Sequence, residues 1–448
     1  MHIPLIGLVT AMTSTPRLTQ AQLDIPKLGE RRHRSPLDLS NTPGDGRCDF
    51  VPEDARILLE PRYCVGEEIN PVAFERAGAR EHIYFDPAQV KAAIVTCGGL
   101  SPGINNVVRS LVMELMHNYG VPEVLGIRYG YEGLNPRLGR SPMRLTPELV
   151  DNIHHHGGTV LGTSRGPQDP KETVDFLTKQ GINMLFCIGG DGTQAGAHAI
   201  AAEVARRGLK IAVVGIPKTI DNDIEYCFMT FGFATAVGEA EIAIDRAHVE
   251  AKSVFNGIGL VKLMGREAGF ITASAVLASG EANFCLIPEA PLELHGEDGF
   301  LAKLKRRLLA REHAVIVVAE GAGQHLLEAT EATDASGNRR FGDIGYFLKQ
   351  EIERYMKAEG MPTSVKYFDP SYLIRSLPAQ AIDSLLCERF ARGAVHAAMA
   401  GRTDMLVGLW HNHLTHVPLA TSTGVKKRVD RESELWTSVL ALTGQDKW

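Results

Sequence analysis

The chain of 448 residues carries 47 basic and 53 acidic side chains, a formal net charge of −6. At about three times the common single-domain length it has room for two or more domains, and its charge excludes a nucleic-acid footprint built from bulk positive charge. Hydrophobic residues at 44% and charged residues at 22% are ordinary for a chain that buries sizeable cores. The 45 glycines gather in short loops between apolar runs, which suits phosphate handling better than fibrous or disordered structure. Seven cysteines, at 48, 64, 97, 187, 227, 285 and 387, form no CxxC, so a reduced, cytoplasmic setting is expected rather than a zinc or disulfide framework.

The apolar stretch at residues 3–12 has no basic residue before it and no small-x-small pattern after it, so secretion is not expected. No run approaches the ~20 apolar residues of a membrane helix. Residues 13–88 are rich in Pro, Arg and Asp with weak periodicity, which predicts an N-terminal extension (1–88) packed on something else. From Lys91 the pattern changes. Short β-branched runs at 92–97, 184–190, 211–217, 257–264 and 314–320 alternate with helical-period segments. Those segments fall at 104–116, 195–208, about 233–253, 267–279 and 345–360, the last after a polar insertion. Such alternation predicts an α/β protein of βαβ units whose mainly parallel sheets are covered on both faces.

In open α/β folds, ligands gather where strand C-termini meet helix N-termini, because unpaired N–H groups and the helix dipole favour anions there. The chain has at least four glycine-rich junctions of this kind: CGGLSPGINN (97–106), GTSRG (162–166), IGGDGTQAG (188–196) and LMGREAG (263–269). The first lacks both the GK[ST] of a P-loop and the spacing of GxGxxG, and alone reads equally well as a tight βα turn. In Gly189-Gly190-Asp191-Gly192-Thr193, Asp191 can hold Mg²⁺, which prefers a carboxylate plus substrate phosphates. The plain alternative is a helix-capping Asp. Lys218-Thr219-Ile220-Asp221-Asn222-Asp223 sets two carboxylates two residues apart beside a Lys and a Thr, an arrangement able to take a proton from an alcohol. An Asx turn is the bland reading. At Met264-Gly265-Arg266 a strand delivers a guanidinium that could clamp a phosphate, or simply make a surface ion pair.

Taken together and in this order, CGGLSPGINN, LGTSRG, IGGDGTQ, PKTIDND, LMGREAGF, VVAEGAG and KYFDPSYLIRS resemble the 6-phosphofructokinases, over about residues 91–408. The variant most resembled is the longer, ATP-dependent group of plants, trypanosomatids and some bacteria. The resemblance implies two Rossmann-like domains: a nucleotide domain at 89–235, joined by about 388–448, and a sugar-phosphate domain at 236–387. It implies Asp221 as the base that deprotonates the C1 hydroxyl of fructose 6-phosphate, with Thr219 and Asp223 beside it, and Asp191 as the Mg²⁺ residue. Gly99, Arg165, Gly166, Gly190, Asp191, Gly192 and Thr193 would bind ATP. Thr219, Ile220, Asp221, Met264, Gly265, Arg266, Glu320, Lys366, Tyr372, Leu373, Ile374 and Arg375 would bind the sugar phosphate, with Arg266 also stabilising the transition state. A cytoplasmic homodimer or homotetramer under allosteric control is implied, without membrane or nucleic-acid partners. Three positions depart from the short bacterial enzymes: Gly257 stands where a neighbouring subunit supplies an Arg, Tyr372 replaces a His, and Lys366 replaces an Arg.

Donor choice turns on two positions. Pyrophosphate-using relatives carry Asp where this chain has Gly192, a carboxylate that would fill and repel the space of the ATP α-phosphate. Lys218 is the pyrophosphate-like residue, though the long ATP-dependent group shares it. Gly192 decides for ATP, with pyrophosphate as the alternative. A lipid or NAD kinase would share GGDGT but not the later motifs, and a non-catalytic subunit would be expected to lose Asp191, Asp221 or Arg266. The remaining polar clusters read as surface. His154-His155-His156 is expected to be solvated; His411, His413 and His416 alternate along an expected strand. Lys426-Lys427-Arg428 reads as a solvated loop or an effector-phosphate site.

Overall fold

The computed structural model describes residues 18–138, 140–328 and 341–447; the apolar stretch 3–12 and the polar insertion 329–340 lie outside them. Among the described residues two large sheets form. The larger has nine strands. Its centre is five parallel strands in the order Met405–Trp410, Ala212–Pro217, Met184–Gly189, Lys91–Thr96, Glu123–Ile127. Nearly every residue of these strands is buried, which is why they read as unbroken apolar runs. The chain runs from strand 91–96 to one neighbour and then to the other, so the strand order reverses between 91–96 and 184–189. That crevice, outside the strand C-termini, is where open α/β sheets take ligands.

The smaller sheet is wholly parallel, in the order Phe284–Leu286, His313–Ala319, Gly257–Leu263, Ser364–Phe368. The helices Phe233–Lys252 and Phe270–Ser279 supply alanines and isoleucines to its core. Gly257 opens the central strand, and a Cβ there would lie 2.1 Å from the Ala251 carbonyl oxygen, so no side chain fits. Between residues 388 and 448 the chain serves both sheets. The hairpin of Met405–Trp410 and His413–Pro418 belongs to the larger one, whereas helix Glu434–Thr443 buries Trp436 and Val439 beside Ile271 and Val276 of the smaller.

The N-terminal segment is built into the larger sheet. Strand Ala73–Arg76 pairs with His413–Pro418, and Arg56–Leu58 adds the outermost strand. Glu75 on this segment is buried against the Arg402 Nε at 2.9 Å, the His416 Nδ1 at 3.0 Å and Arg80 at 3.3 Å, while Glu53 reaches Arg402 at 2.8 Å. Two histidine expectations change. His411 sits in the hairpin turn at φ 46°, not on the strand, and His416 is spent on Glu75. His154 and His155 lie on a 3₁₀ turn with their rings 3.9 Å apart.

Candidate active site

The first turn at the crevice is Gly98–Gly99, after strand 91–96. Lys218, buried at the end of its own strand, donates Nζ to the Gly99 carbonyl at 2.6 Å. A Cβ on Gly99 would lie 3.5 Å from an Arg375 nitrogen and 3.6 Å from one of Arg165, so three cations converge on this turn. Burial pushes the Lys218 ammonium down to about 8, and Arg165 and Arg375 push the same way. Beside it, Gly190 caps helix Asp191–Arg206, so that Asp191, Gly192 and Thr193 form its first turn. The sequence pattern placed this helix start four residues later. The Thr193 and Gln194 amides both donate to the Gly190 carbonyl, drawing the GGDGT glycines into the helix end. A Cβ at Gly192 would meet no atom within 4 Å. Packing therefore does not require glycine there.

The next turn, at 219–223, follows strand 212–217. Asp223 has both carboxylate oxygens engaged: Oδ1 accepts from Thr219 Oγ1 at 3.0 Å and Oδ2 from Lys426 Nζ at 2.7 Å. Thr219 Oγ1 in turn accepts the Asp221 amide at 3.1 Å. Asp221 is different. It is half-buried as a residue, yet its Oδ1 is closed off from solvent and has no hydrogen-bond partner among the described residues. Burial, then the like charges of Asp223 and Glu320, push its carboxyl up to about 8, against the opposing pull of Lys426 and Arg266. Ile220 between them is 5% exposed and packs into the smaller core, which anchors the turn.

The smaller sheet brings the third group. Gly265 holds φ 124° with the Ala268 carbonyl 2.6 Å from where a Cβ would be, so the turn after strand 257–263 needs glycine. The Glu320 amide donates to the Leu263 carbonyl at 2.9 Å and the Gly321 amide to Gly265 at 3.0 Å, stitching the Met264–Arg266 turn to the end of strand 313–319. The Arg266 guanidinium lies 4.4 Å from the Phe341 ring centre. Burial raises the Glu320 carboxyl, while Arg266, Lys262 and Arg375 oppose it. Arg375 thus lies near both the Gly98–Gly99 turn and Glu320. Lys366 is exposed on the edge strand, in register with Gly259. Tyr372 and Leu373 are 74% and 71% exposed, whereas Ile374 is 1% exposed in the core. Met264 packs at the edge of that core, and Gly166 turns the donor loop at φ 94°.

Two residues absent from the motif reading belong to this site. Lys262 interrupts an otherwise apolar strand two residues before Met264; its Nζ pairs with Asp369 at 2.8 Å and Asp343 at 3.3 Å. That lone charge in a buried strand was the available signal. The basic run is also not a solvated loop: Lys426 is at Asp223, and the Lys427 Nζ donates to the carbonyls of Cys227 at 2.6 Å and Phe228 at 3.1 Å. Nothing in its spacing gave that away. Among the described residues no three His, Cys, Asp or Glu side chains cluster as a metal site. Asp191 remains a one-carboxylate donor; among the described residues its Oδ1 accepts from the Gly424 amide at 3.3 Å, which fits a cation that arrives with phosphate ligands.

The phosphofructokinase family model matches residues 91–398. The chain belongs to this family. It is 47% identical to the ATP-dependent 6-phosphofructokinase of Borreliella burgdorferi, covering 96% of this chain and 98% of that one. Against the ATP-dependent 6-phosphofructokinase of Trypanosoma brucei brucei the identity is 42%, over 95% and 88% of the two chains. Among solved structures, the pyrophosphate-dependent phosphofructokinase of Marinobacter aquaeolei superposes with a TM-score of 0.65 at 19% identity, covering 80% of this chain and 91% of that one, a likeness of fold. Phosphofructokinase from Saccharomyces cerevisiae gives 0.60 at 26% identity, over 80% and 47%. In this fold the turns at 98–99, 190–193, 219–223 and 264–266 each follow the end of a different parallel strand.

Proposed function

We infer that this phosphofructokinase transfers the γ-phosphoryl group of ATP to the C1 hydroxyl of fructose 6-phosphate, giving fructose 1,6-bisphosphate and ADP. The observation that carries the reading is the division between two neighbouring carboxylates. Asp223 has both oxygens occupied, so it orients; Asp221 has a buried oxygen with no partner among the described residues, so it is the base. Asp221 Oδ1 takes the hydroxyl proton as O1 attacks the γ-phosphorus and the bond from that phosphorus to the β–γ bridging oxygen breaks. Thr219 holds the Asp221 backbone while this happens. Arg266 faces the transferring group and offsets its charge, and Arg165 with the Gly190–Thr193 helix start receives the donor phosphates. Asp191 would hold Mg²⁺, which neutralises donor-phosphate charge when bound. On the sugar side, Glu320, the Met264–Arg266 turn and Arg375 would meet fructose 6-phosphate, with the backbone of 372–374 rather than the buried Ile374 side chain available to it.

ATP as donor rests on the open position at Gly192 and on relatives named for ATP along nearly their whole length. Pyrophosphate draws only on Lys218, whose ammonium is committed to the Gly99 carbonyl. Incubation with fructose 6-phosphate, Mg²⁺ and either donor tests this: bisphosphate forms with ATP, and turnover confined to pyrophosphate overturns the reading. The division into halves we propose is 89–235 with the returning residues 388–418, against 236–387 with the last helix. A homodimer or homotetramer is supported by exposed Ile382, Leu385, Val249 and Phe255, and light scattering tests it. A cytoplasmic setting is supported by seven free thiols. No helix among the described residues is long and apolar enough to cross a membrane.

A further inference from the structure

After the hairpin at 405–418 the chain leaves the larger sheet and ends on a helix of the smaller one, so residues 423–433 have to cross between the halves. They cross at the site. The Gly424 amide donates to Asp191 Oδ1 at 3.3 Å. Lys426 bridges to Ile224 through its backbone, and the Lys427 amide donates to the Asp223 carbonyl at 3.0 Å. Arg428 pairs with Glu267 at 2.9 Å, and the Val429 amide donates to Glu289 Oε1 at 2.7 Å. Glu289 also accepts the Gly269 amide at 3.0 Å, three residues beyond Arg266. Within six residues the segment therefore touches the donor turn, the base turn and the arginine loop in succession.

Lys426 is the hinge of this arrangement. Its ammonium lies 2.7 Å from Asp223 Oδ2 and 3.9 Å from Asp191 Oδ2. Through Asp223 it reaches Thr219 Oγ1, and through Thr219 the Asp221 amide.

We propose that residues 424–429 form a strap holding the donor, base and arginine turns in register, and that Lys426 is a positioning residue for phosphoryl transfer, acting on Asp221 through Asp223 and Thr219. This rests on the kinase reading above. Without the ammonium, Asp223 Oδ2 loses its partner beside two other carboxylates, and the turn carrying Asp221 is free to shift. Misplacement of a reacting group by about 1 Å costs on the order of 100-fold in rate while leaving binding largely intact. The sugar and donor contacts proposed above fall to other residues, so the defect is expected in kcat.

The test compares wild type, Lys426→Met and Lys426→Arg in the same ATP and fructose 6-phosphate assay, with thermal unfolding and calorimetric binding of fructose 6-phosphate on each preparation. The expected result is a kcat lowered about 100-fold in Lys426→Met, KM for either substrate within about threefold of wild type, and recovery to within about tenfold in Lys426→Arg. If the methionine variant does not fold, Lys426→Gln, one bond shorter, polar and neutral, is held to the same numbers. A neutral variant that binds sugar and turns over like wild type, or one whose loss lies in KM alone, overturns the proposal while the kinase reading stands. Loss that tracks the folded fraction and is not mended by arginine also overturns it. An inactive wild type would instead overturn the kinase reading and the proposal with it.

Discussion

Replacing Gly192 by Asp separates what the fold needs from what the donor needs. The position is the second residue of helix Asp191–Arg206, and a Cβ there touches nothing within 4 Å. Aspartate exceeds glycine in helix propensity by a few tenths of a kcal/mol, and a carboxylate in the first turn adds about 0.3–1 kcal/mol through the helix dipole. The melting temperature should therefore hold or rise slightly. The donor fares otherwise. A new carboxylate about 4 Å from a phosphate oxygen costs on the order of 4 kcal/mol at an effective dielectric constant of ~20. Flexibility of the new side chain and bound cation reduce this, so kcat/KM for ATP should fall about 10²–10³-fold. Gly192→Asn, of the same reach but neutral, should lose far less. Initial rates against ATP and pyrophosphate, with differential scanning fluorimetry on the same samples, measure both halves. Retention of ATP use within about threefold would refute the reasoning, and so would a collapse in melting temperature, which would mean that packing selects the glycine.

Asp221→Asn should lower kcat about 10²–10⁴-fold with KM for fructose 6-phosphate little changed, as steady-state kinetics will show; equal loss in KM would indicate a binding role. Because Asp221 acts only when ionised and its carboxyl is raised to about 8, kcat/KM should fall with unit slope as pH drops below that value, and the slope should vanish from the residual activity of the Asn variant. Arg402→Met should destabilise the fold by about 3–5 kcal/mol in denaturant titration, since it leaves Glu75 charged and buried without its closest cation. Glu75 is held well below the ordinary carboxylate range despite its burial, by His416 and Arg402. The stability it contributes is thus complete above its unfolded pKa of ~4.3 and is lost as pH falls further, so Arg402→Met should narrow the gap to wild type in strong acid.

Much of the site was legible because its parts are local. Asp191, Asp221, Asp223 and Arg266 each lie within a few residues of the end of a buried parallel strand, and such strands announce themselves as apolar runs closed by glycine or proline. Gly265 was readable for the same reason, its φ being a property of one turn. What escaped was contact across long stretches of chain. Lys426 and Asp223 are 203 residues apart, and Arg402 meets Glu75 across 327. No periodicity joins such pairs, so a basic run bound to carbonyls and carboxylates looked like solvated charge. Strand Ala73–Arg76 escaped because its burial pattern includes a glutamate, which only a remote arginine and histidine make tolerable. The roles of Asp191, Asp221 and Arg266 themselves came from the order of motifs, since each alone has an ordinary structural explanation.

The ion cluster around Glu75 bears on where the autonomous piece of this protein begins. The family match opens at residue 91, but Arg402, 1% exposed, finds both of its carboxylates at positions 53 and 75. Trimming the polypeptide to the matched region would leave that guanidinium entombed with no counter-ion and strip the outer hairpin strand of its neighbour. Residues 18–88 are thus a keystone of the catalytic body, and removing them should be read out as lost solubility before any change in chemistry.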